Sequence, residues 1–454
     1  MKTKIVALIL IAALFIVVPR QLLGFSIWHL GSALDVAAAL GAKLACSGKY
    51  LSNFSDEQIR SDLLSYSPVN QYLDIQYQPD AQRVVTDMLG LASYSATYRE
   101  ATGCSLDIGD TSALDSIVAI PIPSEARPWP KGYQVNTIDS DKQQKLDKLL
   151  EQDNKAGLQT RALVLVQNGE IKAESYAPGL DYQSKLLGWS MGKSLTSIML
   201  GRMEHMELAD TTKRALFPEW EDDHRSQISL EHLLRMSSGL KFDETYAPGS
   251  DSTRMLFLAH SASDVALTGT PEYQPGTHFS YSSGTTNILS RWMYEHLGGT
   301  PQASYNFLQQ EILSKLNMAH STFETDPSGV YVGSSYIYAS ARDWARLGLL
   351  MLNKGEFQGE QLLSEDWVNK ASMQNPSDNY PAYGYQFWLN QNADALEYSK
   401  LPKDAYFMLG NRKQAVMIVP SLNSVVVRLG WTSGEYPMNE NFAHILNFGT
   451  KSSN

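Results

Sequence analysis

The chain has 454 residues, 43% of them hydrophobic and 19% charged, enough to bury a large core in two or three structural units. Acidic residues exceed basic ones, 48 against 37, and no run of Lys and Arg occurs, so nucleic acid is excluded as a partner. No C-x-x-C or H-E-x-x-H occurs and the nine histidines are scattered, so no metal or other cofactor is expected.

The N-terminus reads MKTKIVALILIAALFIVVPRQ, with Lys2 and Lys4 ahead of an apolar run from Ile5 to Val18, closed by Pro19 and Arg20. A charged n-region followed by an apolar h-region is the pattern of an export signal, and the run is short for a full membrane span. No A-x-A cleavage site follows, and the next stretch, LLGFSIWHLGSALDVAAALGAKLAC, is again largely apolar. Residues 1–20 therefore read as a signal peptide or a retained signal anchor. The expected location is periplasmic, with the inner membrane a partner through the N-terminus if the signal stays.

Residues 21–134 hold both cysteines, Cys46 and Cys104, outside any catalytic motif. In an exported chain such a pair is most simply a disulfide, the alternative being two buried thiols. The bridge would close a loop of about 58 residues, which contributes roughly 4 kcal/mol on the chain-entropy account. The proline-rich stretch 117–134 reads as a linker or extended arm. Leu146, Leu149 and Leu150 within 142–152 have helical spacing, and 161–177 reads as a hairpin around Asn168-Gly169. The middle, about 190–355, is mostly helical in pattern. Strand signals return at 383–390, 405–410, 414–420 and 424–430, before a final helix in NENFAHILNFG. This order predicts an α/β (α+β) fold, with an antiparallel sheet split in sequence by a helical insertion and flanked by helices.

The stretch GWSMGKSLTS, residues 188–197, fits two chemistries. As G-x-S-x-G it is the nucleophile elbow of an α/β-hydrolase, whose Ser190 would need a histidine and an acid, here His444 and Asp404. That elbow follows a central parallel strand, and no β-α-β alternation is evident. As S-x-x-K, Ser190 heads a helix and Lys193, three residues on, shares its face and reaches its Oγ. Met191, Leu195, Ile198, Met199, Met203 and Met206 supply the apolar stripe of that helix. A lysine acts as base only where burial lowers its pKa; bringing it from about 10.4 to about 7 takes roughly 4–5 kcal/mol between its two protonation states. Tyr281, after a Pro-Gly turn and before a helical segment, is placed to share the proton.

Five stretches, SMGKSLTSIMLGRM, ISLEHLLRMSSGLKFDE, PGTHFSYSSGTTNILSR, GSSYIYASARDWARLGLLML and KQAVMIVPSLNSVVVRLG, occur in the order and wording of one family. On them the sequence resembles the serine hydrolases of the class C β-lactamase-related group, of the penicillin-recognising (β-lactamase/transpeptidase-like) fold. Within that group it looks most like 6-aminohexanoate-dimer hydrolase-like and family VIII esterase-like members. The resemblance spans about residues 135–450, with a helical subdomain at about 200–355, and leaves the first 130 residues outside.

The resemblance implies Ser190 as nucleophile, Lys193 as its proton acceptor and Tyr281 as second acid/base group. Ser283 takes the last position of the Tyr-x-Asn element. Asn411, Arg412 and Lys413 stand where a Lys-Thr-Gly or His-x-Gly is expected, so the glycine that lets substrate approach the strand is missing. The oxyanion hole is expected from the backbone N–H groups of Ser190 and Gln414. Tyr246, in DETYAP, matches a loop tyrosine that faces the substrate amide in the aminohexanoate-dimer hydrolases. A literal Ser377-Asp378-Asn379 reads as a turn, since the Tyr281 element already fills its role. The expected activity is hydrolysis of a small ester or linear amide, with little or no β-lactam turnover; the competing non-enzymatic reading is a peptidoglycan- or peptide-binding module.

Overall fold

A computed structural model of the protein describes residues 30–448. The expected targeting segment, 1–20, lies outside the described residues. Among these, no helix is long and apolar enough to cross a membrane. The second apolar stretch instead forms helix α1 (Leu30–Tyr50), whose Ala38, Ala39, Ala42 and Ala45 are fully buried. Small side chains let α1 lie close to an antiparallel meander of β1 (Leu73–Gln78), β2 (Arg83–Met88), β3 (Ala92–Arg99) and β4 (Gly103–Leu106). Thr86 Oγ1 of β2 donates to the Ala38 carbonyl at 2.5 Å, and the Cys46–Cys104 disulfide ties α1 to β4. Between them α2 (Asp56–Leu64) starts at Ser55, whose side chain accepts from the Gln58 N–H as an N-cap.

The main sheet forms because its central strands are apolar on both faces. After α3 (Ser140–Lys155), β5 (Thr160–Gln167) and β6 (Glu170–Tyr176) close a hairpin at Asn168 and Gly169, both at positive φ, as a type I′ turn requires. In β5, Ala162, Val164 and Val166 point into the central core, while Leu163 and Leu165 point to the opposite face. That opposite face is covered by Leu146, Leu149 and Leu150 of α3. The chain then leaves the sheet for α4 (Gly192–His205), α5 (Ser283–His296) and α6 (Ala341–Leu352), and returns through β7 (Trp388–Leu389), β8 (Tyr406–Gly410), β9 (Gln414–Val419) and β10 (Ser424–Gly430). The order is β7-β8-β9-β10-β5-β6, antiparallel throughout. Helix α7 (Met438–Leu446) covers the α3 face through Phe442 and Ile445.

Three expectations change on this frame. The antiparallel sheet removes the α/β-hydrolase alternative, which needs a parallel strand ahead of the serine. The strand expected over 383–390 shrinks to Trp388–Leu389, because Gln386 takes φ +63 and its buried amide donates to the Leu233 and Leu234 carbonyls. The stretch 117–134 runs as a largely exposed arm but is no free linker, because its end is docked: Tyr133 is buried, its hydroxyl donating to Asp343 at 2.7 Å, and Arg346 donates to the Pro130 and Gly132 carbonyls.

The N-terminal unit is locked to the rest of the molecule. Lys43 of α1 forms a buried ion pair with Glu324, which also accepts from Ser47 Oγ at 2.8 Å and from the Cys104 N–H at 2.7 Å. Asp62 pairs with Arg161 of β5 at 2.5 Å. One apolar cluster runs from α1 and the meander through Trp189, Tyr336, Tyr338 and Trp431.

Candidate active site

Ser190 sits in a single 3-10 turn, Trp189–Met191, that runs straight into α4. A β-carbon on Gly188 would stand 2.3 Å from the Trp344 ring, and one on Gly192 2.9 Å from the Gly333 carbonyl. These glycines therefore serve close packing at a helix start. Trp189 takes φ +49, a conformation strained for a residue with a side chain, directly before the serine.

Lys193, one turn into the helix, is buried, with Nζ 3.3 Å from Ser190 Oγ. Its other acceptors are neutral: Ser283 Oγ at 2.9 Å and the Ser334 carbonyl at 3.1 Å. Asn287 of α5 holds that carbonyl in place by accepting from the Ser334 N–H and donating to Ser334 Oγ. Burial, opposed by the nearby Glu244 carboxylate, brings the Lys193 ammonium down to about 8. Tyr281 precedes Ser282, the N-cap of α5, and its ring packs 5.1 Å from Trp388 and 4.8 Å from Lys193 Nζ. Burial, then the Glu244 charge, raises its phenol above the ordinary value, while a hydrogen bond with Ser190 pulls the other way. The site thus pairs an amine that gives up its proton readily with a phenol that keeps it.

Glu244 is the residue the sequence reading missed. It accepts from the Ser283 N–H at 2.7 Å, from Ser283 Oγ at 2.5 Å and from the Tyr246 hydroxyl at 2.9 Å. Tyr246 is 42% exposed, but its hydroxyl turns inward, 3.2 Å from Ser283 Oγ. A chain of contacts therefore runs Glu244–Ser283–Lys193–Ser190. The only trace in the sequence was an acid two positions from Tyr246.

The sheet reaches Ser190 through its edge. Strand β7 pairs only Tyr406 and Phe407, leaving Met408, Leu409 and Gly410 of β8 open on that side. Gly410 has no room for a side chain: a β-carbon there would lie 2.1 Å from the Gly188 carbonyl, so this glycine lets β8 pack against the serine turn. Asn411, Arg412 and Lys413 form the β8–β9 turn, with Arg412 and Lys413 at positive φ. Asn411 lines the cavity beside Ser190, but Arg412 stacks 3.9 Å over Tyr66, and Lys413 pairs with Glu435 at 3.0 Å and does not line it. Gln414, paired with Gly410, has its side chain bonded to both backbone groups of Gly430, so that side chain is turned away from a substrate.

A model of the beta-lactamase family matches residues 146–445. The chain belongs to this family of serine hydrolases. Over 225 residues it is 24% identical to a 6-aminohexanoate-dimer hydrolase from Paenarthrobacter ureafaciens, a match covering 47% of this chain and 57% of that relative. Among solved structures, a Bacillus anthracis protein to which 6-aminohexanoate-dimer hydrolase activity is ascribed superposes with a TM-score of 0.56 at 21% identity, over 74% of this chain and 90% of that one. A family VIII carboxylesterase gives 0.54 at 12% (69% and 99%), and a class C beta-lactamase 0.52 at 13% (71% and 100%). At these identities the likeness is one of fold, the β-lactamase/transpeptidase type.

Within this beta-lactamase-family chain the remaining candidates have other work. Asn379 accepts from the Phe279 N–H at 2.8 Å and donates to its carbonyl at 2.9 Å, so the Ser377-Asp378-Asn379 loop clamps the segment leading to Tyr281. His444 packs on Phe448 in α7, and Asp404 binds Ser421 at the far end of β8–β9. Neither approaches Ser190, which removes the triad alternative a second time.

Proposed function

We propose that the protein is a serine acyl hydrolase that cleaves an ester or linear amide through an acyl-enzyme on Ser190. The observation that carries this is Lys193: a buried amine 3.3 Å from Ser190 Oγ, with no carboxylate in direct contact. Burying a lysine without an ion partner destabilises a fold, and the strain makes sense where the neutral amine is needed.

In this mechanism Ser190 Oγ attacks the substrate carbonyl carbon while its proton passes to neutral Lys193. The backbone N–H groups of Ser190 and Gln414 receive the developing oxyanion. As the tetrahedral intermediate collapses, the bond to the alcohol or amine breaks and Tyr281 donates its phenolic proton to that leaving group, taking a replacement from Lys193. Water then attacks the acyl-enzyme by the same groups in reverse, releasing a carboxylic acid and restoring Ser190. We also assign the chain to the periplasm, held at the inner membrane if residues 1–20 are retained. The charged and apolar N-terminus and the Cys46–Cys104 disulfide support that placement.

A panel of short p-nitrophenyl esters, an aminohexanoate dimer, D-amino peptides and a chromogenic cephalosporin tests the activity, with Ser190→Ala as control. Ester or linear-amide turnover that the variant loses is expected. Unchanged turnover by Ser190→Ala, or rapid cephalosporin cleavage, contradicts the proposal.

A further inference from the structure

Beside Ser190 lies a cavity of about 360 Å³ whose main wall does not come from the hydrolase domain. Helix α1 presents Ala33, Leu34, Ala37 and Leu40 to it, facing Trp189 and Leu256. Ser190, Asn411 and Tyr246 stand at the same cavity, and among the described residues no charged side chain lines it. The spacing of those four residues is one helical stripe, distinct from the Ala38, Ala39, Ala42 and Ala45 stripe buried on the meander. Helix α1 is thus apolar on two faces. One face is covered by its own sheet, and the other opens beside the nucleophile, where a bound ligand would remove it from water. The matched family region begins at residue 146, so this wall is an addition to the shared fold.

We infer that α1 forms the acyl pocket, and that the substrate is an ester or amide of an uncharged, unbranched aliphatic acid longer than acetic acid. This rests on the Ser190 reading above. The acyl side is assigned because Tyr281, which protonates the leaving group, does not line the cavity. A carboxylate or ammonium on the acyl chain would enter without a counter-charge, at a cost that excludes it. The cavity volume sits at the low end of the range for small-molecule sites, about 300–1,000 Å³, which suits one flexible chain. The step is that of the proposed reaction: Ser190 Oγ bonds to the acyl carbon, the alcohol leaves with a proton, and water later takes the acyl group away as the acid.

The test keeps the leaving group fixed and varies the acyl chain, using p-nitrophenyl acetate, butanoate, hexanoate and octanoate. The intact enzyme should gain about fourfold in kcat/KM per methylene buried until the cavity is filled. Ala37→Phe should abolish most of that gain, read as the ratio of hexanoate to acetate kcat/KM within the one variant, with an unchanged thermal unfolding curve certifying its fold. A profile that is flat or falls from acetate onward overturns the pocket but leaves Ser190 chemistry standing. So does an Ala37→Phe enzyme that keeps the full chain-length gain. If no ester is hydrolysed and a fluorophosphonate does not label Ser190, the underlying reading falls and takes the pocket with it.

Discussion

Two lysines are almost equally buried in this protein, Lys43 at 2% exposure and Lys193 at 1%, and they do opposite things. Lys43 meets the Glu324 carboxylate directly, and the Cys104 carbonyl accepts from it at 2.8 Å. Burial lowers its ammonium and raises the Glu324 carboxyl, and each partner works against the shift of the other; the pair ties the N-terminal unit to the hydrolase domain. Lys193 has two serine hydroxyls and one carbonyl, and its nearest carboxylate, Glu244, stands one serine away. Burial without a contacting carboxylate makes a base, whereas burial with one makes a strut.

The largest expected effect separates the two at once. Lys193→Ala should lower kcat/KM by about 10³-fold or more, the scale of a lost general base acting with its nucleophile. Lys43→Ala should leave the folded enzyme within about threefold of normal activity but cost about 3–5 kcal/mol of stability, because Glu324 then stays buried and unpaired. Urea unfolding together with ester kinetics on both variants checks this. If Lys43→Ala were the inactive one, the division of roles would fail.

The same division shows what was legible in the sequence. Ser190 and Lys193 could be read because three residues along a helix is a fixed geometry, and Tyr281 because its Pro-Gly turn and the following helix are local. Glu244 was hidden, since its role depends on the 243–250 loop folding onto the start of α5, a contact that no local pattern encodes. The contact of Gly410 with the Gly188 carbonyl was likewise hidden, since it depends on how the edge strand β8 packs on the serine turn. Helix α1 read only as a second apolar stretch, because a helix apolar on two faces looks alike whether a sheet, a ligand or lipid covers it. The strands β9 and β10 were plain, being short apolar runs bounded by turns.

A smaller effect concerns stability. The folded pKa of Lys193, about 8, lies below the ordinary 10.5, so its charged form is penalised in the native state alone. Lys193→Met should therefore stabilise the protein by on the order of 1–3 kcal/mol below pH 8 while abolishing activity. That gain should shrink as pH rises from about 8 toward 10.5, where the native lysine is already neutral. Thermal unfolding of both forms at pH 7 and pH 10 measures it, and a Lys193→Met enzyme less stable at pH 7 would contradict it.

The smallest expected effect falls on Glu244. Its charge favours protonated Lys193, so Glu244→Gln should move the acid limb of the kcat/KM profile to lower pH. A shift to higher pH, or an unmoved limb, would show that Glu244 only shapes the loop.

The most direct test of the central claim is the pH dependence of acylation at Ser190 itself, followed by mass spectrometry of the protein reacted with a fluorophosphonate. The account predicts one adduct, on Ser190, formed at a rate that climbs as pH passes through about 8 and that is lost in Lys193→Ala. An adduct on another residue, or a Ser190 adduct formed equally fast without Lys193, would contradict it.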